Sequence, residues 1–277
     1  MSKAFLDTTV LADILLKTGE RHKVANEALE KYKKSEIPQY AIKEFKAGPL
    51  RNFIYCHNKF VTTNSFKDTI KAIQKLSRTP QRYKTSTALE ALYEAQNSIA
   101  NSTPLEFIEK YGKNAKHDRI QCDEMIITLK TIIFKAWKKR RIIADKVVAT
   151  LPCYHEYELK IKRGLIDGAP YTCEKNAECH IAKIMSKKPD ILKKMRVSIL
   201  NSGKMENQKR CKVLKKLIKK SGQDITHNDC RYLGDAVFVF LAPEDSTILT
   251  TNDIDHKPMA EAIGKKVNTP IDICVSS

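Results

Sequence analysis

Four acidic side chains stand where a carboxylate could do chemistry: Asp7, Glu44, Asp235 and Asp253. Asp7 closes the short apolar run KAFL and is followed by two threonines, while Asp253 closes the run TILTTN. Glu44 lies in AIKEF, and Asp235 follows Gly234 at the head of the apolar stretch DAVFVFLA. Four acids gathered at one place would repel one another and resist ionisation unless a cation shared the site. Hard oxygen ligands select Mg²⁺ or Mn²⁺, and such ions make a hydroxide nucleophile accessible and stabilise charge developing on a phosphate. Phosphodiester hydrolysis is the chemistry that this set of residues fits.

For that chemistry the chain must bring both of its ends together. KAFL reads as a buried strand that stops at a helix N-cap, and Val10, Leu11, Ile14 and Leu15 then follow the spacing of a helix face closed by Gly19. HKVANEALEKYKKS is a second amphipathic helix, and IPQYAIKEFKAGPLRNFIYCHNKF a third, with Pro38 in its first turn and a short strand around Ile37 to Tyr40 before it. The centre is expected to be helical over 65–78, 86–100, 104–111, 119–149 and 189–200, with a loop at GLIDGAP. In 119–149 the run KKRR at 138–141 gives a basic face. After the Lys-rich helix MENQKRCKVLKKLIKK, strand candidates TILTT and KKVNT alternate with the helices CRYLGDAVFVFLA and KPMAEAIG. Strands alternating with helices imply an α/β layer with a parallel sheet, built from the two termini. In such sheets ligands bind beyond the carboxyl ends of the strands, where Asp7 and Asp253 both fall.

In order and context, FLDTTVL, AIKEF, LGDAVFVFLA and ILTTND resemble the PIN-domain nucleases. In that family the first acid ends the first strand and precedes Thr or Ser, and the second lies on a helix. The third begins a helix, and the fourth ends a T-x-D strand. Asp7 with Thr8, Glu44, Asp235, and Asp253 with Thr251 match those positions. The resemblance implies a PIN-like α/β/α sandwich with a central parallel sheet, Mg²⁺ or Mn²⁺ as cofactor and endonuclease activity, usually on RNA. It implies that Asp7, Glu44, Asp235 and Asp253 are the catalytic and metal-holding residues; beside them Asp229 is a candidate outer-sphere member and Thr251 a candidate to orient a carboxylate by hydrogen bond. The matching segments are 1–58 and 205–277, so residues 59–204 are expected to form a large, mostly α-helical, basic insertion. Relatives include toxins neutralised by an antitoxin, phage-defence effectors, enzymes that mature ribosomal RNA and nucleases that cut DNA flaps.

Charge points to the same partner. The chain carries 50 Lys and Arg against 32 Asp and Glu, a net of +18, and the excess lies wholly in its middle. Residues 59–222 hold a net of +20, whereas the two ends together hold −2. Segregated positive charge beside a neutral acid-bearing layer fits a phosphate backbone, most simply that of RNA. No run approaches eighteen uncharged apolar residues and the N-terminus has no cleavable leader, so the expectation is a cytoplasmic protein with no membrane partner. Eight scattered cysteines lack the density of a disulfide scaffold, and the spacing of Cys153, His155, Cys173, Cys179 and His180 matches no usual zinc knuckle, so free thiols are expected.

Plainer readings exist for each acid. Asp7 and Asp235 are also suitable helix caps, Glu44 a solvated helix residue, and Asp253 part of a turn. The alternatives to a nuclease acting on RNA are a DNA-directed structure-specific nuclease, a non-catalytic nucleic-acid-binding subunit with the same fold, and an interaction module that binds a protein inhibitor or a second copy.

Overall fold

The computed structural model describes residues 3–79, 83–100, 117–151, 158–167, 179–220 and 225–275. The fold is α/β, with a five-stranded sheet of order β3-β2-β1-β6-β7 at its centre. The strands are β1 Lys3–Leu6, β2 Lys34–Pro38, β3 Lys146–Val148, β6 Ser246–Leu249 and β7 Lys266–Asn268, and every neighbouring pair is parallel. A separate antiparallel pair, β4 Ile161–Lys162 and β5 Leu165–Ile166, occupies part of the expected GLIDGAP loop. The central strands explain their own burial: Ala4, Phe5, Leu6, Ile248 and Leu249 are wholly inaccessible, as a parallel sheet covered on both faces requires.

The chain leaves β1 toward β2 through α1 (Thr8–Leu16) and α2 (Glu20–Glu30), and leaves β6 toward β7 through α12 (Asp253–Glu261). These crossovers run in opposite directions from the central pair, so β1 and β6 flank the point where strand order reverses. Two helices then bring side chains to that point. α3 (Gln39–Ala47) begins where β2 ends, and α11 (His227–Leu241) precedes β6. Pro38 is the last residue of β2 and caps α3, rather than lying within a single long helix, and Gly48 divides α3 from α4 (Pro49–Thr63).

The central stretch is helical, with α5 (Phe66–Leu76), α6 (Tyr83–Ala100) and α7 (His117–Lys139) followed by α8 (His180–Ser186), α9 (Pro189–Ser198) and α10 (Met205–Lys220). The expected helix at 104–111 lies outside the described residues. One expectation fails here: the helix predicted over 119–149 stops at Lys139, and residues 146–148 form β3 at the sheet edge. Of KKRR, Lys138 and Lys139 therefore end α7, and Arg140 and Arg141 lie in the turn that follows. Lysines there meet the negative end of the helix dipole, and the Arg140 guanidinium stacks 3.6 Å from the centre of the buried Trp137 ring. Polar contacts tie this stretch to the sheet layer. Asp145 accepts from Ser35 N and Oγ at 2.6 and 3.1 Å, and Glu94 accepts from Thr18 N and Oγ1 at 2.7 and 2.6 Å.

α13 (Pro270–Val275) closes the chain against α2. The end of α11 is held by Lys265, whose Nζ donates to the carbonyls of Val239, Phe240 and Ala242 at 2.8, 3.0 and 2.5 Å. An ammonium that satisfies three terminal carbonyls also opposes the helix dipole. Lys265→Met is expected to lower stability by about 2 kcal/mol, read as a fall in thermal midpoint of about 2–4 °C per kcal/mol. An unchanged midpoint would show that solvent replaces the cap at no cost.

Candidate functional site

Strand register builds the first half of the site. Leu6 pairs with Leu249, so the next residues, Asp7 and Thr250, emerge side by side at the carboxyl edge of the sheet. Asp7 N donates to Leu249 O at 3.0 Å and extends the ladder by one bond. The Asp7 carboxylate is buried and fully engaged. Oδ1 accepts from Thr8 N at 2.7 Å, and Oδ2 accepts from the Thr9 and Thr250 hydroxyls at 2.8 and 2.7 Å. Asp7 is thus the N-cap of α1 and a member of the acid cluster at once.

Glu44 comes from α3, one turn beyond Tyr40 and on the same helix face. Its Oε2 accepts from Thr8 Oγ1 at 3.2 Å, and the buried Tyr40 hydroxyl donates to the same carboxyl group. Burial first, then the nearby charges of Asp7 and Asp235, push the Glu44 carboxyl up to about 7 against the bonds from Tyr40 and Thr8. Burial is the largest of these causes, and the two neighbouring carboxyl groups add to it.

Asp235 lies in the middle of α11, not at its start. Thr226 caps that helix in a box with Asp229, which also pairs with Lys216 at 3.0 Å; the Asp229 carboxylate is spent on structure. Burial raises the Asp235 carboxyl, Arg210 and His256 oppose the rise, and Asp7 and Asp255 add to it. Arg210 reaches Asp235 from α10 through a direct ion pair and is itself held by Asn207 Oδ1 and Tyr232 O. A helical glycine makes the approach of α11 to α3 possible. A Cβ at Gly234 would fall 3.0 Å from Glu44 Oε1 and 3.7 Å from the Tyr40 hydroxyl.

The structure therefore brings Asp7, Glu44 and Asp235 into one electrostatic group. Asp253 opens α12, partly buried, in the turn that follows β6. From that turn it is Asp255 whose charge reaches Asp235, and Asp255 also pairs with Lys204 at 2.8 Å. The expected threonine shifts by one as well: Thr250 binds the Asp7 carboxylate, while Thr251 is exposed and its N–H donates to Thr9 Oγ1 at 3.1 Å.

His256 completes the floor. Its Nδ1 lies 2.8 Å from Asn252 O, and its buried Nε2 has no hydrogen-bond partner among the described residues while facing both Asp7 Oδ2 and Asp235 Oδ1 at 4.0 Å. Among the described residues, no three His, Cys, Asp or Glu side chains converge closely enough to ligate one ion directly. What does meet here is the oxygen atoms of Asp7, Glu44 and Asp235 and the orphaned buried His256 nitrogen, which faces two of these carboxyl groups. The Arg210 guanidinium supplies positive charge at this point.

Arg210, Gly234, Thr250, Asp255 and His256 were not singled out from the sequence. Two left signals in it. Arg210 shares the apolar stripe of α10 with Val213, Leu214 and Leu217, where a buried charge demands a partner. Gly234 weakens a helix interior by about 1 kcal/mol relative to Ala, which is tolerated where backbones or side chains must come close. Of the zinc candidates, Cys153, His155 and Cys173 lie outside the described residues. No helix among the described residues is long and apolar enough to cross a membrane. No family model, curated protein or solved structure matches this chain.

Because Gly234 leaves room for the Glu44 carboxyl, Gly234→Ala is expected to keep stability within about 1 kcal/mol while displacing Glu44. If Glu44 takes part in a reaction, the rate should fall by about 10- to 100-fold, since displacements near 1 Å suffice for such losses. Equal activity in the two proteins would show that Glu44 does not act at its observed place.

Proposed function

We propose that this protein is a metal-dependent endonuclease with a PIN-like α/β/α fold, hydrolysing phosphodiester bonds in a nucleic acid, RNA in the first instance. The observation that supports this most is the convergence of Asp7, Glu44 and Asp235 at the strand-order reversal, where burial first, and then the charges of Asp7 and Asp235, raise Glu44 to about 7. Asp7, Glu44 and Asp235 would hold Mg²⁺ or Mn²⁺, with Asp253 or Asp255 as the outer acid. A hard divalent cation, when bound, supplies charge to the phosphate oxygens and acidifies water.

The chain's own groups do the rest. The attacking water loses its proton to the carboxylates it meets there, and its oxygen bonds to phosphorus as the P–O3′ bond breaks. The departing 3′ oxygen takes up a proton, so the products are a 5′-phosphate and a 3′-hydroxyl. Arg210, released from Asp235, presents a fork of donors to a phosphate oxygen. Exposed Lys212, Lys215 and Lys219 on α10 carry the positive charge away from the site along one helix.

Purified protein should cut labelled single-stranded RNA, structured RNA or DNA with Mn²⁺ or Mg²⁺ and stop on chelation, with binding that weakens steeply as salt rises. The Arg210–Asp235 ion pair favours a second reading, a nucleic-acid-binding subunit in which a guanidinium has replaced the cation. Tight, salt-sensitive binding with no cutting under any metal would move the protein to that class. Salt-independent binding to a protein and none to nucleic acid would leave only an interaction module.

A further inference from the structure

Large apolar side chains gather at one place on the surface. Val197 is in the last turn of α9, Leu200 lies just beyond it, Met205 opens α10 and Ile254 is in the first turn of α12; they are 64, 46, 67 and 65% exposed. These element ends meet. α9 packs against both α10 and α12, and Lys204, beside Met205, donates from Nζ to Oδ1 of Asp255, beside Ile254, at 2.8 Å. The turn from α9 to α10 is itself compact, since Ser202 Oγ accepts from Lys204 N and Asn207 Nδ2 at 3.3 and 2.8 Å. Single exposed apolar residues are ordinary, whereas a group of them rimmed by charge marks a contact surface.

This surface adjoins the acid site on one side and the most basic part of the chain on the other. His256, two positions after Ile254, faces Asp7 Oδ2 and Asp235 Oδ1 at 4.0 Å. α8, α9 and α10 pack on one another, and residues 180–220 hold fourteen Lys and Arg against two acidic residues, a net of +12. Around the patch Lys194, Lys204 and Lys257 are exposed, as are Lys212, Lys215 and Lys219 farther along α10. A second copy of the chain would bring like charge against like charge, so the surface fits a polyanion. The neighbouring acid site selects a nucleic acid from the polyanions. A duplex stacks its bases inside and presents phosphate and sugar, whereas an unpaired strand also offers base faces that can cover apolar side chains.

We propose that Val197, Leu200, Met205 and Ile254 form a base-binding shelf for a single-stranded nucleic acid whose phosphates follow the lysines of α10. The proposal rests on the nucleic-acid reading above and adds to it the place where unpaired bases are held. Aliphatic side chains match no donor and acceptor pattern on a base edge, so the shelf takes any base and selects for an unpaired strand.

The test is equilibrium binding of the full chain, with a chelator present so that nothing is cut, to three labelled RNA probes of equal length: a single-stranded oligouridylate, its abasic counterpart and a duplex. Met205→Ser combined with Ile254→Ser should weaken the single-strand complex by about tenfold while leaving the abasic and duplex complexes and the salt dependence unchanged. Lys212→Gln with Lys215→Gln and Lys219→Gln should weaken all three complexes and lower the salt slope for the single strand by about 2. A serine variant that binds the single strand like the wild type, or that loses affinity equally for the abasic probe, would overturn the shelf and leave the nucleic-acid partner standing. A concentration-dependent dimer that the two serines abolish would also overturn it, by assigning the patch to a second copy. No binding to any probe at low salt would overturn both the shelf and the reading on which it rests.

Discussion

Asp7→Asn is expected to abolish metal-dependent cleavage, lowering kcat/KM by about 10²-fold or more, while leaving the fold intact. Even partners that only orient a ligand cost 10–100-fold on removal, and Asp7 is the acid whose charge acts on both Glu44 and Asp235. The structural role survives because Asn caps helices about as well as Asp. Its amide oxygen can still accept from Thr8 N, and its NH₂ can donate to the oxygens of Thr9 and Thr250. The thermal midpoint should therefore stay near that of the wild type. Cleavage that persists in a folded Asp7→Asn protein would place the chemistry elsewhere, and a variant that fails to fold would show the carboxylate charge to be structural.

Glu44 carries the second large effect, and it appears in stability as well as activity. The folded protein keeps a proton on Glu44 up to about pH 7, whereas the unfolded chain releases it near the ordinary 4.5. Between those values the folded state binds more protons, so stability falls as pH rises through that window. The loss approaches about 3 kcal/mol by pH 7 and then levels off. Glu44→Gln has no proton to lose. The variant should match the wild type near pH 4.5, exceed its stability above pH 7 by up to about that amount, and be inactive. Gain of stability with loss of activity is the expected mark of charge held together for function. Parallel unfolding curves for the two proteins from pH 4.5 to 8 would show that Glu44 ionises normally.

Much of the layer that bears the site was legible because its signals are local. Apolar runs ending in Asp7 and near Asp253 mark strand ends, and parallel strands send their ends to one edge. The helical spacing around Glu44 and through residues 205–220 needs no distant partner. What escaped the sequence depends on contacts far apart along the chain. β3 is three residues with no periodicity, stabilised only by pairing with β2, so it read as a continuation of α7. The start of α11 was missed because Asp229 closes the capping box where Glu or Gln is the commoner choice. The exchange of Thr251 for Thr250 follows from register, since a shift of one residue turns a side chain to the other face. The stripe of α10 marks Arg210 as needing a partner, but which acids Arg210 and His256 meet depends on how α10 and α12 pack, which no local pattern encodes.

The central claim is that the three acids form one cation-holding centre, and manganese binding tests it most directly. Titration of Mn²⁺ into the protein with a single-stranded RNA oligomer present, followed by electron paramagnetic resonance, should show saturable binding to the wild type. Binding should weaken at least about tenfold in both Asp7→Asn and Glu44→Gln. Equal binding by all three proteins, or none by any of them, would contradict the account.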